Sequence, residues 1–125
     1  MITRDFLLRE IETVVQVLGV VLGLRRDGHA AEAEARIAAA IAEASGVTDV
    51  SALDRDQTVA LADHLGAFHP LKAVALADLL RESDRPGAGQ QALWLYRAAM
   101  DSGEAVPFDL AARIASLPSG GDGAA

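Results

Sequence analysis

Cysteine and asparagine are absent from this 125-residue chain, and Lys72 is its only lysine beside ten arginines. Without cysteine, the chain can form no disulfide, no thiolate nucleophile and none of the usual structural zinc sites. Aromatic residues are also scarce, at 4%, although 51% of the chain is hydrophobic. Alanine is the largest contributor to that hydrophobic content and is the strongest helix former. The composition therefore favours a helical fold, and the scarcity of lysine and asparagine is typical of a GC-rich bacterial genome.

Basic residues are outnumbered by acidic ones, which gives a formal net charge of −7 at pH 7. An acidic chain repels phosphate backbones and anionic lipid surfaces, so we expect neither nucleic acid nor membrane partners. The most apolar stretch, Val14–Leu24, is about 16 Å long as a helix, too short for a bilayer core of about 30 Å. The N-terminus also lacks the pattern of a signal peptide. Together these features predict a cytoplasmic protein.

The motifs that usually carry catalysis are missing from the sequence. It has no Gly-x-Ser-x-Gly, no phosphate loop and no dinucleotide fingerprint. His64 and His69 are five residues apart, which is not the spacing of a helical zinc pair, and they have no evident third ligand. The acidic residues Asp49, Asp54 and Asp56 lack the glycine and glutamate that a calcium loop requires. We therefore predict a protein that is not an enzyme, with no catalytic residues, no metal site and no cofactor.

Hydrophobic periodicity predicts six helices. Their approximate bounds are residues 3–26, 30–44, 55–65, 70–82, 90–102 and 107–117. Asp54 and Gln57 have the spacing of a capping box, and Pro70 and Pro107 suit the first position of a helix. No segment shows sustained strand alternation. The prediction is one all-α domain over residues 1–118, built as three antiparallel hairpins, followed by a disordered tail at 119–125.

The first predicted hairpin resembles a tetratricopeptide repeat. Leu18-Gly19 and Leu22 match its first helix, and a series at the family's spacing of four then three matches its second: Ala33, Ile37 and Ala40. The connection is two residues longer than the strict 34-residue repeat. The later hairpins match more loosely, through Ala73, Ala77, Tyr96, Ala111 and Ala112. The resemblance implies a right-handed array of helical hairpins, in which Gly19 and Gly23 let the first helix approach the second closely.

A narrower resemblance begins near the N-terminus. The run Asp5-Phe6-Leu7-Leu8-Arg9-Glu10-Ile11-Glu12 is similar to the opening of a group of uncharacterised bacterial proteins, Asp–aromatic–aliphatic–aliphatic–Arg–x–Ile–Glu. That resemblance implies a helical fold and carries no activity with it.

The stretch Val14–Leu24 is the main indication of function. Ten of its eleven residues are apolar or glycine, so we expect it to be covered on most sides. In repeat geometry, a groove of the first hairpin is lined by Thr13, Gln16, Val17, Val20, Gly23 and Leu24, which we predict to bind a partner. An apolar groove suits an amphipathic helix or a second copy of the chain. The alternative is that helices three to six cover this face as ordinary core. The favoured function is a scaffold or adaptor that acts by protein–protein contact, including self-association through the first helix.

Two other functions stay open. Residues 58–76 resemble a helix-turn-helix, although Lys72 falls where that motif has a buried aliphatic residue and is the only cation that its second helix offers to phosphate. A helical domain that binds a small ligand is the other alternative, and it requires a polar-lined cavity.

Overall fold

The computed structural model describes residues 2–104, 106–107 and 109–117. Over these ranges the chain forms six α-helices, which confirms the all-α prediction. They are α1 (Ile2–Arg26), α2 (Ala30–Ser45), α3 (Arg55–Val59), α4 (Pro70–Leu80), α5 (Ala88–Asp101) and α6 (Leu110–Ala115). The predicted tail at 119–125 lies outside the described residues. None of the helices in the described ranges is both long and apolar enough to cross a bilayer.

Local capping signals predicted two helix starts correctly. Asp54 accepts a hydrogen bond from the Gln57 amide, and the Gln57 side chain accepts one from the Asp54 amide, so the capping box is present. Pro70 occupies the first turn of α4. The start predicted at Pro107 is wrong, because Pro107 instead accepts a turn hydrogen bond from Leu110, where α6 begins.

The second half of the third predicted helix is also wrong. After α3 comes a 3-10 turn at Ala60–Ala62, and then a hairpin of two short strands, β1 (Asp63–His64) and β2 (Ala67–Phe68). Its turn residues Leu65 and Gly66 have φ angles of 53° and 81°. Positive φ at both central residues is the type I′ geometry that fits the twist of a two-residue hairpin. Gly66 therefore serves a reversal between two strands rather than the end of a helix.

Helix α4 forms the centre of the fold. Eight of its eleven residues are buried, and it packs chiefly against α5 and also against α1. Helix α1 packs against α2 as predicted, and α3 packs against α5. The predicted pairing of the third and fourth helices is kept only through the 3-10 turn at Ala60–Ala62, which contacts α4, whereas α3 itself packs against α5. The tetratricopeptide-like array stays a prediction.

Helix α1 is covered mainly on one side. Among its described side chains, only Val14 and Val21 are buried. They face the buried stripe of α2, which comprises Ala33, Ile37, Ala40, Ile41 and Ala44. Within the single chain, Val14–Leu24 is therefore covered mainly on the side that faces α2, and its coverage by a partner stays a prediction. Gly19 also lies in open space, with no atom within 4 Å of the position of an added Cβ, so it does not serve close approach to α2.

Candidate interaction surfaces

An apolar stripe runs along the solvent side of α1. Leu8, Val15 and Leu22 are seven residues apart and are 48%, 54% and 47% exposed. Ile11 and Leu18 lie between them, half-buried against the core. We call these five residues the outer stripe. Their alternating spacing of three and four is that of the seam along which two helices pack.

The predicted partner-binding residues fall into two groups. Thr13, Gln16 and Val20 are exposed, so helices α3 to α6 do not cover them. The other three, Val17, Gly23 and Leu24, are half-buried. Of these, Val17 and Leu24 pack against the core cluster. With 3.6 residues per turn, Val20 lies on a different side of α1 from the outer stripe. The heptad spacing of the outer stripe could have been found in the sequence, but nothing there shows which side of the helix is covered.

Polar contacts tie the end of α1 to the rest of the fold. Arg25 donates to Glu34 at 2.6 Å and to Asp84 at 3.0 Å. Glu34 also accepts hydrogen bonds from the Ser83 hydroxyl at 2.8 Å and from the Asp84 amide at 2.6 Å. These contacts fix the α1–α2 hairpin to the loop that leads from α4 to α5, and they leave the outer stripe free.

Lys72 is a buried structural cation. It is 3% exposed, its Nζ lies 2.9 Å from Glu10 Oε1, and it donates to the Asp63 carbonyl at 3.2 Å. The one cation that residues 58–76 offered to phosphate is thus engaged inside the protein. The β1–β2 hairpin also stands where a helix-turn-helix has a tight turn.

A second polar cluster joins α4, α5 and α6. The Tyr96 hydroxyl donates to Asp78, and Arg113 donates to the other Asp78 oxygen at 2.7 Å. Arg81 donates to the Arg113 carbonyl at 3.0 Å and to the Ser116 hydroxyl at 2.6 Å. Burial and the hydrogen bond to Asp78 raise the pKa of Tyr96 well above its ordinary value. This cluster, which we call the α6 clamp, holds a neutral tyrosine and positions the last helix.

Burial disfavours the charged form of Arg113, but the carboxylates of Asp78 and Asp109 outweigh that effect and raise the pKa of Arg113. The α6 clamp could not be predicted from the sequence because its members are far apart along the chain.

The hairpin brings His64 and His69 together. Their ring centroids are 5.7 Å apart in a T-shaped arrangement, and the Phe6 ring lies 6.3 Å from that of His64. Within the described part of the chain, no group of three histidine or acidic residues could hold a metal ion. The contact is best understood as aromatic packing of the N-terminal part of α1 against the hairpin.

Two of the surface cavities formed by the described residues lie beside α1 and α5. One, of about 260 Å³, lies between α1 and α2 and is lined by Phe6, Arg9, Glu10, Thr13, Val14, Ala40, Glu43 and Ala44. The other, of about 470 Å³, lies between α3 and α5 and is lined by Arg55, Asp56, Val59, Gln90, Leu93, Trp94, Arg97, Ala98 and Asp101. The first has an apolar floor and a charged rim, whereas the second is polar around a single indole ring.

In comparisons with protein-family models, curated proteins and solved structures, nothing matches this chain.

Proposed function

We propose that this protein is a non-enzymatic helical scaffold that binds an amphipathic helix of a partner protein along the outer stripe of α1. A tetratricopeptide-like packing of its hairpins and a cytoplasmic location belong to the same proposal. The observation that carries it is the row of Leu8, Val15 and Leu22, all about half exposed at heptad spacing.

The energetics of the stripe favour reversible binding. Each half-exposed side chain gains about 1 kcal/mol when a partner buries it completely. The stripe alone therefore contributes about 3 kcal/mol, which suits a contact that forms and dissociates. Glu12 and Arg26 are exposed nearby on α1. Their opposite charges favour one orientation of a partner helix over the other.

Site-specific cross-linking in cells tests the proposal. The photo-cross-linker p-benzoylphenylalanine replaces Val15 in one variant and, as a matched control, the exposed Gln16 in another. We expect a discrete adduct from position 15, much less from position 16, and loss of the adduct when Leu22→Glu is added. An adduct of twice the chain's mass identifies a second copy of the chain as the occupant. Equal labelling at both positions, or an adduct that survives Leu22→Glu, contradicts the proposal.

The cavity between α3 and α5 favours a second candidate function, the binding of a small ligand. Trp94 lines it together with Arg55 and Arg97, a combination that suits a planar group bearing an acid. Trp94 is the only tryptophan of the chain, so its fluorescence reports directly on the cavity. A saturable fluorescence change with an aromatic carboxylate such as indole-3-acetate, abolished by Arg97→Ala, supports this function. A linear or absent response contradicts it for that class of ligand.

A further inference from the structure

Gly19 lies in the middle of the exposed side of α1. Within the described part of the chain, no atom comes within 4 Å of the position of an added Cβ. A glycine inside a helix is less stable than an alanine there, so folding of the single chain favours alanine at this position. An exposed glycine on a helix lets the backbone of another helix come close.

Opposite charges flank Gly19 at equal distances along α1. Glu12 precedes it by seven residues, Arg26 follows it by seven, and both are exposed. Because seven residues are nearly two turns, all three lie on one side of the helix, beside the outer stripe. If two α1 helices cross antiparallel at Gly19, Glu12 of each copy meets Arg26 of the other.

The same register joins the apolar residues of the two copies. Val15 and Leu22 lie four residues before and three residues after Gly19, and they are 54% and 47% exposed. In the antiparallel pair, Val15 of each copy therefore lies beside Leu22 of the other, and the twofold axis makes every contact twice. A parallel twofold pair instead places Glu12 level with Glu12, so that charges of the same sign meet.

The other described charges of α1 do not oppose this pairing. Arg25 and Asp27 are the neighbours of Arg26, so each lies about 100° further round the helix axis. Arg25 is also held by two carboxylates, and Glu10 is paired inside the protein. Arg9 is level with a position beyond the end of α1 in the other copy. The contact face is therefore neutral overall, and salt screens the general repulsion between two acidic chains.

We propose that the outer stripe binds a second copy of the chain, with the two α1 helices antiparallel and crossing at Gly19. The inference rests on the proposed function, since it names the partner of the same surface. Two pairs of Val15 and Leu22 and two charge pairs make a small contact, so we expect a weak dimer that forms at high micromolar concentration.

Disulfide formation tests the crossing point, since the chain has no cysteine of its own. Gly19→Cys places two thiols at the twofold axis, so we expect oxidation with diamide to link most of the protein into dimers. Gly23→Cys is the matched control, because an added Cβ there meets no atom nearer than 3.8 Å. In the antiparallel pair its two copies are about 12 Å apart along the axis, too far for a disulfide.

Charge reversal tests the register. Glu12→Arg and Arg26→Glu each place charges of the same sign opposite each other twice, so we expect either variant to raise the dimer dissociation constant about tenfold. The double variant restores both pairs in reversed order and recovers the wild-type value. Asp101→Arg makes the same charge change at an exposed position of α5 and serves as the control. Light scattering after gel filtration measures all four.

Three results would overturn the inference: a monomeric chain at high micromolar concentration, no more disulfide from Gly19→Cys than from Gly23→Cys, or no recovery in the charge-reversed double variant. If the photo-cross-linker at Val15 then joins the chain to a different protein, the proposed function stands and only the second copy is wrong. If that adduct is also missing, both the inference and the proposed function are wrong.

Discussion

Helices α1 and α4 are both strongly apolar, but the fold covers them to very different extents. Helix α4 lies at the centre, where α5 packs on one side of it and α1 on another. Helix α1 carries apolar residues nearly all round its second half, yet three residues of its outer stripe, Leu8, Val15 and Leu22, remain about half exposed. The apolar residues of a helix therefore show which side chains could be buried. Which of them are buried depends on the position of the helix in the fold.

The largest expected effect comes from removing a core side chain of α4. Leu79 is fully buried, so Leu79→Ala leaves a cavity and lowers the free energy of unfolding by about 3 kcal/mol. Leu22→Ala on the outer stripe changes it by less than about 0.5 kcal/mol. Urea denaturation followed by circular dichroism measures both. If the two substitutions cost the same, the contrast between α1 and α4 is wrong.

A smaller loss is expected from opening the α6 clamp. Asp78→Ala removes the acceptor of both Tyr96 and Arg113, which lowers the free energy of unfolding by about 2 kcal/mol. If Asp78→Ala speeds amide hydrogen exchange in α6 but not in α2, the loss of stability is local to α6. Asp109→Ala is the matched control, since its pair with Arg113 is exposed and contributes less than about 0.5 kcal/mol. If Asp78→Ala and Asp109→Ala lower the free energy of unfolding equally, the α6 clamp has no special role in stability.

The α6 clamp also predicts how stability changes at alkaline pH. The pKa of Tyr96 is raised in the folded chain, so its phenol stays protonated in a pH range where the unfolded chain has released the proton. The folded state then binds more protons than the unfolded state, and stability falls as the pH rises above about 10. Tyr96 is the only tyrosine, so tyrosinate absorbance follows it directly. If the Tyr96 phenol of the native protein titrates at the same pH as that of the urea-unfolded chain, the prediction is wrong.

Features fixed by neighbouring residues could be predicted from the sequence. The capping box of Asp54 and Gln57 and the start at Pro70 each depend on a few adjacent positions. The β1–β2 hairpin was missed because residues 55–65 carry a helical pattern and Leu65 is an unusual residue for its turn. The α6 clamp was missed because its members are brought together only by tertiary packing. The outer stripe is visible as a pattern, but its exposure depends on where α4 and α2 lie.

The smallest expected effect separates the two explanations of Gly19. Had Gly19 allowed close approach to α2, an added methyl group would destabilise the pair. Because its Cβ position is open, Gly19→Ala instead removes the entropic cost of a glycine within a helix and raises the free energy of unfolding by about 0.5–1 kcal/mol. Gly46 is the control, since its φ of 78° ends α2 and alanine there is strained. We expect opposite signs for Gly19→Ala and Gly46→Ala in urea denaturation. A loss of stability at both positions would mean that the sequence-based interpretation of Gly19 is right and that α1 packs more closely than the structure indicates.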